Sequence, residues 1–129
     1  MSRTREEEAN LKLVLDLFEQ VLSPMDSSAV DRFISADYIQ HNPSVEPGRD
    51  SLKAFLDTIR AQTPQAVHEV KRAFVDGDHV IVHYHVRRWP GDSGWAVIDI
   101  FRVADGLVVE HWDVMQDVVE GGPNPIGPF

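Results

Sequence analysis

Val97-Ile98-Asp99-Ile100-Phe101-Arg102 is the stretch on which the reading of this chain turns. Its neighbours suit a buried strand, and Asp99 does not. A carboxylate among Val, Ile and Phe is costly unless something nearby compensates it. Buried acids with displaced pKa values are candidates for proton chemistry. The same residue also fits a structural role, satisfied by a backbone N–H or set at a sheet edge.

Outward from this stretch the hydrophobic period is two. Strands are expected over Val67 to Val75, His79 to Arg88, Trp95 to Val103 and Leu107 to Met115. Along the second, Val80, Val82, Tyr84 and Val86 alternate with Ile81, His83, His85 and Arg87. The last hairpin allows two registers. A two-residue Asp105-Gly106 turn sets Asp99 opposite Trp112, and a three-residue Ala104-Asp105-Gly106 loop sets it opposite His111. A one-residue slip exchanges the faces. The three-residue loop is preferred, because it gathers Asp99, His111 and Asp113 on one face and leaves Ile98, Ile100, Trp112 and Val114 on the other. The expected concave face then carries His83, His85, Asp99, His111 and Asp113 among Val97, Phe101 and Met115, with His41 and Asn42 approaching from an earlier segment. An apolar pocket with a few convergent titratable groups fits a small-molecule site.

The first half of the chain has helical spacing. Thr4 and Glu7 form a capping-box pattern before a helix expected to run to Leu22, with Leu11, Val14, Leu15, Phe18 and Leu22 on one face. Asp26 or Ser27 can cap a short second helix. Tyr38-Ile39-Gln40-His41-Asn42-Pro43 reads as a short extended piece ended by a turn signal. Asp50 can cap a third helix bearing Leu52, Phe55, Leu56 and Ile59. Helices followed by an antiparallel meander make an α+β layout. The 129 residues suit one domain, 1–129, with an irregular Gly/Pro-rich tail from 117 to 129. Strands apolar on both faces point to a homodimer through the sheet.

The formal net charge is −9, from 12 Lys+Arg against 21 Asp+Glu, which argues against nucleic acid as a partner. No apolar run is long enough for a membrane span. The charged start, Met1-Ser2-Arg3-Thr4-Arg5-Glu6-Glu7-Glu8, does not read as a signal peptide, so a cytoplasmic location is expected.

Tyr38-Ile39-Gln40-His41-Asn42-Pro43, Val97-Ile98-Asp99-Ile100-Phe101-Arg102 and Asp105-Gly106-Leu107-Val108-Val109-Glu110-His111-Trp112-Asp113 resemble the SnoaL-like proteins of the nuclear transport factor 2-like superfamily. That superfamily includes polyketide cyclases and ketosteroid isomerases. The resemblance runs from the first helix to about Gln116, and is nearest to a subgroup of predicted aldol-condensation enzymes. It implies a cone-like α+β barrel, with three N-terminal helices on a strongly curved, mainly antiparallel sheet. It places Asp99 where ketosteroid isomerases hold a protonated Asp in the oxyanion hole. The isomerase general base falls near Asn42 and its oxyanion Tyr near Leu17 or Phe18, so neither group is kept, and the cyclase pattern is nearer.

The leading expectation is a cofactor-independent cyclase or isomerase acting on a small carbonyl or polyketide-like compound. Asp99 would move a proton α to a carbonyl, with His111 and His83 stabilising the enolate. Tyr38, His41, Asn42, His85, Val97, Phe101, Asp113 and Met115 would line the substrate site. Two other readings stay open: a non-catalytic small-molecule-binding module of the same fold, and a metal site built from His41, His83, His111 and Asp99, although no local ligand motif is present.

Overall fold

The computed structural model describes residues 2–129. Helix α1 spans Arg5–Leu17 and continues as a π-helical turn over Phe18–Leu22, so the expected single helix changes winding in its last turn. The capping box is present: Glu7 N–H donates to Thr4 Oγ1 at 3.0 Å, and Thr4 N–H donates to Glu7 Oε1 at 2.9 Å. A 3-10 turn, Ser27–Arg32, is capped by Asp26. Strand β1 is Ile34–Gln40, and helix α2 is Arg49–Gln62. The N-cap of α2 is Gly48 rather than Asp50. Asp50 lies in the first turn, where its charge still suits the helix dipole.

Four longer strands follow: β2 Val67–Asp76, β3 His79–Arg87, β4 Trp95–Ala104 and β5 Leu107–Asp117. The sheet order is β1-β5-β4-β3-β2, with β1 parallel to β5 and the other pairs antiparallel. The helices cover one face, where Leu11, Val14, Leu17, Phe18, Val21 and Leu56 meet the buried residues of the sheet. Asn10 and Glu7 clasp the β2–β3 turn to α1: Asn10 Nδ2 donates to Gly77 O at 3.1 Å, and Gly77 N–H donates to Glu7 Oε2 at 3.0 Å.

The inner face of β3 is Val80, Val82, Tyr84 and Val86, all buried. Fully burying one such side chain stabilises by about 1.5–3 kcal/mol, so four of them outweigh any preference for grouping imidazoles. His83 and His85 therefore face away from the helices, a correction to their expected place beside Asp99. Pairing of Val82 with Asp99 and of His83 with Ile98 fixes this. Asp99 is inward because Val97, Phe101 and Val103, on the same side of β4, are core residues.

The last hairpin uses neither expected register. Ala104 pairs with Leu107 across a two-residue turn in which Asp105 and Gly106 both have positive φ, 53° and 75°. This matches the hairpin turn that follows strand twist. A bulge on β5, where Val109 is the extra residue between Val108 and Glu110 opposite Val103 and Arg102, then shifts the pairing, so Asp99 sits opposite Asp113 and Phe101 opposite His111. The extra residue restores the inward parity that the preferred loop was to supply.

Candidate active site

A cavity of about 130 Å³ lies between α2, the end of α1 and the inner face of the sheet. Leu17, Leu22, Ile34, Leu52, Phe55, Leu56, Ile59 and Phe101 form its apolar wall, and Tyr38, Gln40, Asn42, His68, Tyr84, Asp99, His111 and Asp113 supply its polar groups. No Lys or Arg lines it.

Asp99 is 3% exposed. Tyr84 Oη donates to Asp99 Oδ2 at 2.9 Å. Asp99 Oδ1 has no aligned hydrogen-bond donor, yet lies 3.3 Å from His111 Nε2. The tautomer of His111 follows from its other nitrogen. Nδ1 meets Gln40 Oε1 at 2.8 Å, and an amide oxygen only accepts, so Nδ1 carries a proton. Gln40 Oε1 is fixed in turn by Asn42 N–H at 3.0 Å. With His111 neutral, a bare lone pair on Nε2 would face an ionised Asp99 at close range. One proton held between the two removes that repulsion. Burial raises the Asp99 pKa despite the His111 and Tyr84 contacts. Burial pulls His111 down, but the Asp99 contact and the charges of Asp99 and Asp113 outweigh it, so its pKa is raised. Both directions favour retention of one proton by the pair.

Asp113 completes the cluster. Its Oδ2 accepts from Asn42 Nδ2 at 2.7 Å and lies 4.0 Å from His111 Nε2. Tyr84 stays a phenol, its pKa driven well above the usual value by burial and by Asp99. The arrangement can bind and release a proton at Asp99–His111 and can present a hydroxyl donor beside it.

The family profile described as "SnoaL-like domain" matches residues 14–111. The chain belongs to that family. Among solved structures, TsrD of Streptomyces laurentii is similar with 25% identity and a TM-score of 0.68 over 88% of this chain and 91% of that one. A candidate polyketide cyclase of Bacillus cereus superposes with a TM-score of 0.75 at 18% identity, over 88% of this chain and 78% of that one. A candidate SnoaL-like polyketide cyclase of Jannaschia sp. gives 0.74 at 22% identity, over 89% and 90%. These last two show the fold, the α+β cone. No curated protein matches the chain by sequence.

Within this SnoaL-like domain, Asp99, His111, Asp113, Asn42, Tyr38 and Phe101 come together around the cavity. The other expected residues do not. His83 accepts from Arg72 on the outer face, and His85 Nε2 donates to Ser93 O at 2.6 Å, holding the β3–β4 loop. His41 is outside the cavity, stacked on Trp112 at 4.9 Å and donating to Glu110 Oε2 at 2.8 Å. Val97 is buried in the core, and Met115 borders a groove on the outer face with Ile98 and Val114. The expected metal set is therefore dispersed. The donor atoms that do approach within 4.8 Å of one another belong to Asp99, His111 and Asp113. Tyr84 and His68 were missed as site residues. Tyr84 was legible from the alternation of β3, which keeps it with three core valines. His68 carries no sign of a role in the sequence, and it is a bulge between Val70 and Arg72 that keeps it on the inner face. Among the described residues no helix is long and apolar enough to cross a membrane.

Proposed function

We propose that the protein is a cofactor-independent enzyme of the cyclase/isomerase type, acting on a small carbonyl or polyketide-like compound. The observation that carries this reading is the buried Asp99–His111 pair with Tyr84 beside it, at the wall of an otherwise apolar cavity. The base form is Asp99 carboxylate next to His111 imidazolium. Asp99 takes a proton from the carbon α to the substrate carbonyl. The C–H electron pair becomes the enolate C=C, and negative charge moves to oxygen. Tyr84 turns its hydroxyl from Asp99 to that oxygen, the kind of donor that strengthens as charge develops. Return of the proton to a different carbon gives isomerisation. Attack of the enolate carbon on a second carbonyl of the same compound closes a ring, and the new alkoxide takes the proton back. His83 and His41, on the outer side, take no part.

A test without knowledge of the natural substrate is enzyme-catalysed exchange of α-protons for deuterium. It is read by NMR on a panel of neutral cyclic ketones and 1,3-diketones. General acid–base catalysis supplies about 10²–10⁴-fold, so the Asp99→Asn variant should lose at least 100-fold of any exchange rate while keeping its fold. Exchange equal in wild type and variant would remove the role given to Asp99. Tight binding with no exchange anywhere on the panel would favour a ligand-binding module.

We further propose a homodimer through the outer face of the sheet, where Ile98 and Val114 are 40% and 69% exposed. Sedimentation equilibrium should give twice the chain mass, and a Val114→Lys variant should run as a monomer. A monomeric wild type contradicts this.

A further inference from the structure

His68 has no place in the acid–base scheme, yet it lies on the cavity wall. Its Nδ1 is closed off from solvent and has no hydrogen-bond partner. Its ring lies 6.2 Å from the ring of Tyr84. Leaving a buried polar atom unpaired is costly, and a turn of the ring brings such a group in a cavity wall within reach of a ligand. Burial lowers the His68 pKa, so the ring is neutral, with one nitrogen that donates and one that accepts.

The sheet order gives the distance scale. His111 and Asp113 are on β5, Asp99 on β4, Tyr84 on β3 and His68 on β2, so the inner face carries polar residues across four adjacent strands. His68 pairs with Val86, four residues along β3 from the Val82 that faces Asp99, so the two backbones are about 16 Å apart at the usual spacings, and the two side chains converge on Tyr84 between them. Between them the cavity is bounded by aromatic and aliphatic side chains of α2 and by Phe101. The wall carries two carboxylates, Asp99 and Asp113, and its one cationic group, the His111 imidazolium, is already neutralised by Asp99 beside it. A carboxylate or phosphate on a ligand would meet repulsion and no counter-charge.

We propose that His68 is the second polar anchor of this cavity, and that its ligand is an uncharged compound with a flat or cyclic apolar body and an oxygen function at each end. One oxygen, the reacting carbonyl, sits at Asp99 and Tyr84. The other, a hydroxyl or a second carbonyl, sits at His68. This rests on the proposed function, because it takes the Asp99 end as the reacting end. His68 touches the ligand away from the reacting atoms, and so acts in binding and selection.

The test uses three probes with the intact chain, by isothermal titration calorimetry: 2-naphthol, 2,6-dihydroxynaphthalene and 2-naphthoate. One added hydrogen bond that also satisfies a buried group is worth about tenfold in affinity. In the wild type, 2,6-dihydroxynaphthalene should bind about tenfold more tightly than 2-naphthol, and 2-naphthoate more weakly than either. His68→Leu should bring the two naphthols to within about twofold, and His68→Gln, which keeps a donor and an acceptor, should restore most of the difference. Equal affinities in the wild type, a difference that survives His68→Leu, preferred binding of the naphthoate, or no binding of either naphthol each overturn the proposal. The deuterium exchange of a ketone with one oxygen function does not involve His68. Loss of that exchange in Asp99→Asn, with no naphthol difference at His68, would leave the acid–base reading standing and remove this one.

Discussion

The two faces of one sheet carry similar residue types and do opposite things with them. On the outer face, histidines meet partners that settle their protons: Arg72 at His83, Ser93 O at His85 and Glu110 at His41. On the inner face, His111 meets a carboxylate that is itself buried, and neither group can be charged alone without cost. The outer face has more imidazoles, and the inner face has the contested proton. Burial with an incomplete partner makes a group reactive, and the number of titratable side chains does not.

The contrast can be broken most severely at the loop that sets the register. Gly94 has φ 75°, and a Cβ there would sit 1.9 Å from Val86 O. Gly94→Ala should therefore cost about 3 kcal/mol or more in urea unfolding, through a backbone clash and a strained φ. A loss under about 1 kcal/mol would mean that the β3–β4 loop does not hold β4 in place. Next in size, Tyr84→Phe removes the hydroxyl beside Asp99 that is proposed to meet the enolate oxygen, and donors of that kind are worth about 10²–10³ in rate. It also leaves Asp99 Oδ2 unpaired, at about 1–3 kcal/mol of stability. Exchange at the wild-type rate in Tyr84→Phe would show that the enolate oxygen lies elsewhere.

The pH dependence of stability sharpens the comparison further. The His111 pKa is raised in the folded protein, so the native state holds a proton that the unfolded chain has released above about pH 6.5. Its contribution is complete below that pH and is lost as pH rises through the raised value. From pH 6.5 upward the stability of the wild type should fall by at most about 1.4 kcal/mol per pH unit, for one proton. The His111→Gln variant should lack this slope, and a slope shared by both proteins would assign it to other groups. His83 behaves in the opposite sense: burial and Arg72 lower its pKa, so it adds nothing in that window. His83→Ala, the smallest expected effect, should change stability by less than about 0.5 kcal/mol and leave exchange unaltered. A tenfold loss of exchange there would return His83 to the site.

Much of this was legible in the sequence. Thr4 and Glu7 announced the first helix, and Leu52, Phe55, Leu56 and Ile59 the face of α2 that lines the cavity. The grouping of Asp99, His111 and Asp113 was legible as well, although by a different device. A bulge in the β4–β5 pairing did what a three-residue loop was expected to do, and a bulge leaves no signal in residue types. His83 and His85 differ from their expected place because the unbroken run Val80, Val82, Tyr84 and Val86 outweighs polar clustering. Burial of that run decides the face, and the same argument would have brought Tyr84 to Asp99. His68 was beyond reach, since its inward direction depends on the β2 bulge. The irregular tail expected from 117 to 129 starts one residue later, since Asp117 ends β5, and its end lies over the outer face, with Phe129 4.6 Å from the His85 ring.

The account depends most on a proton shared between Asp99 and His111. The measurement that reads it is the 15N chemical shift of the His111 ring, followed against pH in the wild type and in Asp99→Asn. Titration of His111 above about pH 6.5 in the wild type, dropping below that value when the carboxylate is gone, is the predicted result. Titration at or below pH 6.5 with Asp99 in place would contradict it.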